Sequence, residues 1–208
     1  MNKQLKLMSF KYKGLKYHVE TFNNFELLIG TILSAQCTDE RVTLVMRELR
    51  KKYKNPEDVL KASIKEFEED IKSTGFYRNK TKYIRGCCKL LIEAYNGEIP
   101  SSMEELLKFP GISRKTANVI LQNGFDKIEG IVLDTHGLRV AYRLGWTSTL
   151  NSHKAEKELM NKLPKKYWKE YPNLVKAHGK KLCKAPIPYC SKCFLNKICP
   201  KKGVKKNY

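Results

Sequence analysis

LKFPGISRKTA, at residues 107–117, combines the signals for the end of one helix, a tight turn and the start of a second helix. A capping box at Ser102 and Glu105 predicts a short helix before the turn, and a second helix is predicted over residues 114–122. A hairpin of this kind aims backbone N–H groups outward at the N-terminus of its second helix, where they can bind phosphate. The alternative, from this stretch alone, is an ordinary connection between two helices.

Helical periodicity extends from this hairpin over most of the chain. Apolar residues recur at three- and four-residue intervals, as in Phe25, Leu28, Ile29, Ile32 and Leu33. Residues 131–133, IVL, are the clearest strand-like run, but they are too short and isolated to build a sheet. The sequence therefore predicts an all-α fold. Predicted helix ends include N-caps at Asp39, Asn55, Ser63 and Asp134, a helix start at Asn79, and a stop at Asn96–Gly97.

The charge of the chain predicts a polyanionic partner. The 208 residues include 41 Lys and Arg against 21 Asp and Glu, a formal net charge of +20, and the positive residues fall in clusters. Nucleic acid is the usual partner of such a basic chain. The alternative is that the lysines serve solubility alone. No secretion signal or membrane-spanning apolar run is visible, so an intracellular protein of the cytoplasm and nucleoid, or of a eukaryotic nucleus or mitochondrion, is expected. A monomer is expected as well.

Four cysteines near the C-terminus predict a metal centre. Cys183, Cys190, Cys193 and Cys199 form a C-x6-C-x2-C-x5-C run, which lets four sulfurs converge from one compact loop. The spacing favours a [4Fe-4S] cluster, and a structural zinc site is the main alternative because only one C-x2-C knuckle is present. Disulfides are disfavoured, since the total of seven cysteines is odd and no secretion signal is seen.

The hairpin, the later segment VLDTH at 132–136 and the cysteine run together resemble endonuclease III, a DNA glycosylase and lyase of the helix-hairpin-helix superfamily. The likeness also includes FELLIGTILSAQCTDERV, TGFYRNKTKYI, NGEIP and LVKAHGKKLC, in the family's order. It implies a two-lobed all-α fold. The implied lobes are a six-helix domain at 17–130, with a helix-hairpin-helix motif at about 103–123, and an iron–sulfur domain made of 1–16 and 131–208.

The resemblance also implies the chemistry. It points to Lys115 as the amine that attacks C1′ of a damaged nucleotide and to Asp134 as the catalytic carboxylate, with [4Fe-4S] held by the four cysteines. A lysine is protonated at neutral pH, so Lys115 is expected to have its pKa lowered by the helix dipole, by Arg114 and by burial. The alternatives for these two residues are a surface lysine and a plain helix cap.

DNA contacts follow from the same resemblance. The damaged nucleotide must leave the stack, so Gln36 is expected to fill the gap and Phe76 to act as an apolar wedge. Their alternatives are a polar residue at a helix end and a core aromatic residue. His136 is expected to support the pocket or to be a satisfied buried histidine. The full set of expected DNA-contact residues is Gln36, Phe76, Gly111, Ile112, Ser113, Arg114, His136, Lys184 and Lys192.

Two residues depart from the family pattern. Ser113 replaces the second hairpin glycine, which would be unfavourable if this position needs a positive φ, although serine could cap the helix. Gly137 replaces a larger residue and could enlarge the pocket. The expected activity is removal of oxidised pyrimidines and cleavage of abasic DNA. The alternatives are an adenine- or thymine-mismatch glycosylase and a non-catalytic DNA-binding module with a four-cysteine zinc site.

Overall fold

The computed structural model describes residues 1–15 and 20–208. Helices are the only regular secondary structure in this described part, so the predicted all-α class is confirmed. No helix there combines the length and the apolar character that a bilayer crossing requires. The α-helices are α1 (Asn2–Lys11), α2 (Asn24–Leu33), α3 (Asp39–Lys52), α4 (Pro56–Lys61), α5 (Ile64–Ile71), α6 (Tyr77–Tyr95), α7 (Met103–Leu106), α8 (Arg114–Gly124), α9 (Thr135–Arg143), α10 (Ser152–Lys162) and α11 (Tyr171–Lys181). Single 3₁₀ turns lie at Lys72–Thr74, Lys165–Tyr167 and Asn196–Ile198.

The chain forms two compact units. A central unit spans His18–Glu129, and a terminal unit combines Met1–Tyr17 with Gly130–Tyr208. The predicted domain boundary at residues 16 and 17 lies outside the described residues, and the assignment of two domains stays a prediction.

The central unit is built around α2, which is buried on nearly all sides. Its sequence NFELLIGTIL is apolar around most of its circumference, the pattern of a helix inside a core. Asn23 caps the helix by accepting a hydrogen bond from the Glu26 amide at 2.8 Å. The Glu26 carboxylate in turn accepts two 2.8 Å hydrogen bonds from Arg50 on α3. Helices α3, α6 and α8 pack on α2.

The terminal unit packs α9 and α1 on α11. Its core includes Leu5 and Met8 from the N-terminal helix and Tyr171 from α11, all fully buried. The partly buried Cys183, Cys193 and Cys199 pack against this core. The chain's two ends therefore share one core with the cysteine-rich segment.

Candidate active site and metal centre

The predicted hairpin is present, and Ser113 begins its second helix. Ser113 has φ −89° and ψ 167°, and its Oγ atom accepts a hydrogen bond from the Thr116 amide at 3.3 Å. The positive φ of the turn, +79°, falls on Gly111. Serine at position 113 is therefore an unstrained N-cap, and the expected difficulty with this departure does not arise.

The turn of the hairpin is supported from below by α6. A Cβ atom at Gly111 would lie 2.7 Å from Cγ of Tyr83, and one at Gly86 would lie 2.9 Å from Cγ of Pro110. The Cys87 thiol donates a hydrogen bond to the Pro110 carbonyl oxygen at 3.3 Å. Glycine at both positions is needed because the turn and the helix approach so closely.

Ile112 faces into the protein, whereas its neighbours in the turn face outward. Its side chain is buried, and its amide donates to the Phe109 carbonyl oxygen at 3.1 Å. Gly111 and Ser113 are exposed. In the turn, Ile112 thus supplies internal packing, while the residues on either side of it are accessible to a ligand.

Lys115 is exposed at the second position of α8. The burial expected for its amine is therefore wrong for the chain without DNA. The first turn of a helix carries unpaired N–H groups and the positive end of the helix dipole. Lys115 stands at this end with the half-buried Arg114 before it.

Asp134 is the N-cap of α9, as predicted. Its Oδ1 atom accepts a hydrogen bond from the Gly137 amide at 2.7 Å, and its carboxylate is half-buried. A Cβ atom at Gly137 would lie 3.1 Å from Cγ2 of Val175 and 3.2 Å from Cδ1 of Leu133. These two side chains occupy the space beside Gly137, so the expected enlargement of a pocket there is wrong, and the glycine lets α9 pack closely on α11.

His136 is held by Arg139, a residue whose role the sequence did not indicate. The Arg139 Nη2 atom lies 3.2 Å from His136 Nδ1 and donates to the Gly179 carbonyl oxygen at 3.1 Å. Its Nε atom donates to the Cys183 carbonyl oxygen at 3.0 Å. Burial lowers the pKa of His136, and the nearby Asp134 opposes this shift. A neutral His136 that accepts from Arg139 at Nδ1 follows from this environment. His136 and Arg139 are three residues apart on one helix, and this spacing is the sequence signal that could have predicted their contact.

Gln36 and Phe76 both adopt the left-handed conformation that is uncommon outside glycine. Their φ values are 52° and 49°, and both side chains are exposed, with Phe76 at 62%. Phe76 directly precedes α6, and Gln36 follows the C-terminal end of α2. Phe76 is therefore not a core residue, and each side chain is exposed close to the end of a helix.

The four cysteines of the C-terminal run line a single pocket, together with Arg143 and His178. Several groups aim hydrogen-bond donors at the sulfurs: Arg143 at Cys183 (3.5 Å), the Leu195 amide at Cys193 (3.4 Å) and the Lys201 amide at Cys199 (3.4 Å). Such donors stabilise thiolates, which are the forms that bind iron or zinc.

The four cysteines are partly buried. Burial raises the pKa values of Cys190, Cys193 and Cys199 in the chain without metal. Burial also lowers the pKa of His178 to about 4, and its Nε2 atom lies 3.7 Å from the Cys193 sulfur. In the described part of the chain, no three His, Cys, Asp or Glu side chains form a group that could hold one metal ion.

Lys184 and Lys192, which lie on the same segment as the four cysteines, are exposed.

Comparison with known proteins places the chain in a family. A family model described as "HhH-GPD superfamily base excision DNA repair protein" matches residues 29–165. Endonuclease III of Synechocystis sp. is 41% identical over 91% of this chain and 86% of the relative. A solved non-covalent complex of an endonuclease III with DNA is 39% identical, covers 96% of this chain and 94% of its own, and has a TM-score of 0.89.

A second solved structure is a trapped covalent intermediate of endonuclease III with DNA. It is 38% identical, with a TM-score of 0.88 and coverage of 97% of this chain and 96% of its own. Identity at this level over nearly the whole of both chains, together with the hairpin and the cysteine run, shows that the protein belongs to the endonuclease III family within the HhH-GPD superfamily.

Proposed function

We propose that this protein is a base excision repair enzyme that removes oxidised pyrimidines from duplex DNA and then cleaves the resulting abasic strand. The observation that carries the proposal is the exposed Lys115 in the first turn of α8, directly after the turn of the hairpin. The chain that carries it belongs to the endonuclease III family. An amine at this position supports a covalent mechanism, as does the existence of a trapped covalent DNA intermediate of a relative.

Lys115 is the nucleophile in this proposal. Its neutral Nζ atom attacks C1′ of the damaged nucleotide, and the bond from C1′ to the base breaks, so that the base leaves with the electron pair and takes up a proton. The amine loses its proton and the sugar ring opens, which gives a Schiff base between Lys115 and C1′. Loss of a C2′ proton then expels the 3′ phosphate by β-elimination. The positive end of α8 attracts the DNA phosphates.

Asp134 supplies the carboxylate. Positive charge develops at C1′ as the base departs, and a carboxylate near that atom stabilises the transition state and can accept the proton of the attacking amine. The N-cap bond uses Oδ1 and fixes the side chain. In the proposal, Oδ2 accepts the proton. A rigid carboxylate suits this role because little reorganisation is needed during the reaction.

DNA binding and opening involve several further residues. Gln36 and Phe76, exposed at the ends of their loops, fill the gap and wedge the stack when the nucleotide flips out. Gly111, Ser113 and Arg114 contact backbone phosphates through the hairpin, with Ile112 supporting the turn from within. The remaining proposed contacts are His136, Lys184 and Lys192. Because the substrate is the cell's DNA, we propose an intracellular location.

A [4Fe-4S] cluster is the proposed cofactor, held by Cys183, Cys190, Cys193 and Cys199. The residues fit this group because four thiols line one pocket with N–H donors directed at the sulfurs. The spacing of the run, with one C-x2-C knuckle rather than two, favours the cluster over zinc. Such a cluster supplies a cross-link among its four ligands and a redox-active centre. The chain itself provides the N–H donors directed at the sulfurs. It also provides a basic segment, with the exposed Lys184 and Lys192, that faces solvent.

A substrate panel tests the proposed function. Duplexes containing one oxidised pyrimidine, one adenine mismatch, one thymine mismatch or no lesion are incubated with the protein, and the released base is identified by mass spectrometry. Release of the oxidised pyrimidine with cleavage of the same strand is expected. Release from a mismatch without strand cleavage would favour the mismatch glycosylase, and DNA binding without any release would favour a non-catalytic module.

A further inference from the structure

Lys80 is a buried lysine in the first turns of α6. Its side chain is only 3% exposed, and its Nζ atom donates hydrogen bonds to the carbonyl oxygens of Leu33 at 2.8 Å and Thr74 at 2.9 Å. Both acceptors are neutral. Burial lowers the pKa of Lys80, as expected for an ammonium removed from water. A charge placed there costs stability that an apolar side chain would not, so the residue needs an explanation other than core packing.

The two carbonyl groups belong to the segments that lead into the Gln36 and Phe76 loops. Leu33 is the last residue of α2 and lies three residues before Gln36. Thr74 ends a 3₁₀ turn and lies two residues before Phe76. One ammonium group thus joins two loops that are distant in sequence, each at the point where it leaves its helical segment.

Each loop carries a residue in a strained conformation. Gln36 at φ 52° and Phe76 at φ 49° are not glycines, and side chains with a Cβ atom rarely adopt this left-handed conformation. Such conformations persist only where the surrounding structure holds them. Hydrogen bonds from Lys80 to the preceding backbone, at 2.8 and 2.9 Å, restrict both loops at once.

We propose that Lys80 is a positioning residue that holds the Gln36 loop and the Phe76 loop at a fixed spacing, so that both side chains enter the DNA stack together. This inference rests on the roles proposed above for Gln36 and Phe76. Insertion into a stacked duplex requires both groups to meet one base step, and small misplacements of such groups reduce rates strongly. Lys80 itself is buried and acts only through the two loops.

The test compares a duplex substrate, whose base stack must be opened before reaction, with a single-stranded substrate, which has no duplex to open. The first is a duplex containing one thymine glycol, and the second is a single-stranded oligonucleotide containing a preformed abasic site. Single-turnover strand cleavage is measured for the wild type, Lys80→Met, Lys80→Arg and Lys89→Met. Lys89→Met is the matched control, because Lys89 lies on the same helix, is 69% exposed and forms an exposed ion pair with Glu93.

Lys80→Met is expected to slow cleavage of the duplex about tenfold or more while leaving the single-stranded rate within about twofold of the wild type. Lys80→Arg, which keeps donors at the position, should recover much of the duplex rate, and Lys89→Met should match the wild type on both substrates. An equal loss on both substrates would indicate a general structural role and overturn the proposal. An unchanged duplex rate would also overturn it. If Lys80→Met does not fold, Lys80→Gln carries the same comparison.

A double-mutant cycle separates this inference from the proposed function. In a Gln36→Ala, Phe76→Ala background, Lys80→Met should add less than about a twofold effect, since its partners are already gone. A fully additive effect would contradict the positioning role while leaving the loop roles intact. If the Gln36 and Phe76 replacements alone leave duplex cleavage unchanged, the proposed roles of the two loops fail, and the Lys80 inference fails with them.

Discussion

Asp134 combines a structural and a chemical task in one side chain. Its Oδ1 atom caps α9 through the Gly137 amide, and the same carboxylate is the proposed proton acceptor. The two tasks use different properties. Capping needs only an oxygen that accepts a hydrogen bond, whereas stabilising positive charge at C1′ needs the negative charge.

The roles of Asp134 can be separated by two substitutions. Asp134→Asn keeps a capping oxygen, so we expect the melting temperature to change little while single-turnover base release falls about 10²- to 10⁴-fold. Asp134→Ala removes both the capping oxygen and the negative charge. We therefore expect a comparable loss of base release together with a loss of about 1 kcal/mol in the free energy of unfolding. Calorimetry and a base-release assay on the same preparations check both values. Base release by Asp134→Asn close to that of the wild type would rule out the catalytic role.

Among the helical elements, the contact between α6 and the hairpin positions the proposed phosphate site. Tyr83 and Gly86 of α6 lie directly under Gly111 and Pro110, so the turn cannot move toward the helix. Phe76 directly precedes the same helix, which also carries Lys80. One helix of the central unit therefore supports both the hairpin and the Phe76 loop.

Gly111→Ala should disrupt this contact. It places a non-glycine residue at φ +79° and a Cβ atom 2.7 Å from Tyr83. The left-handed conformation costs about 1–2 kcal/mol and the overpacking about 1–3 kcal/mol more. Gly97→Ala is the matched control, since Gly97 has the same φ of +79° but no atom within 4 Å of the added Cβ. Chemical denaturation of both variants gives the difference, and duplex affinity should weaken only for Gly111→Ala. Equal losses of stability would show that Tyr83 does not constrain the turn.

Local signals explain which element boundaries could be predicted. Caps at Asn55, Ser63 and Asp134 were predicted correctly, because a capping side chain bonds an amide only three residues away. The predicted N-cap of α3, Asp39, is one residue too late, because Thr38 caps the helix. Either side chain is able to cap a helix. The start of α6 at Tyr77 rather than Asn79 was missed because Phe76, in a left-handed conformation, offers no capping side chain.

Residues whose partners are distant in sequence could not be predicted. Lys80 resembles any basic surface residue until Leu33, 47 positions away, is seen to accept its hydrogen bond. Arg139 similarly bonds the Cys183 backbone across 44 positions. Lys115 and Asp134 were indicated by motifs, yet the exposure of Lys115 and the packing around Gly137 depend on tertiary structure.

Across the whole molecule, each of the two units has its own hydrophobic core. The cysteine-rich segment belongs to the core of the terminal unit, where Cys183, Cys193 and Cys199 pack against it. A cluster bound there would stabilise the folded terminal unit because its ligands come together only in the native state.

Loss of the cluster should therefore act on one unit. In Cys193→Ser, we expect the visible iron–sulfur absorption and about four irons per chain to be lost. Amide hydrogen exchange should quicken in α9 and α11 but stay slow in α2 and α8. Cys37→Ser, in the central unit, is the control and should keep both iron and protection. Full iron content in Cys193→Ser would contradict the assignment of this ligand.

Covalent trapping tests the central claim most directly. Duplex DNA with an abasic site is incubated with the protein and sodium borohydride, which reduces a Schiff base to a stable adduct, and the adduct is measured by gel shift and peptide mass spectrometry. Lys108→Gln serves as the control, because Lys108 lies on the same hairpin but pairs with Glu105. The wild type and Lys108→Gln are predicted to form an adduct, mapped in the wild type to Lys115, and Lys115→Gln is predicted to form none. An undiminished adduct from Lys115→Gln would contradict the assignment of Lys115 as the nucleophile.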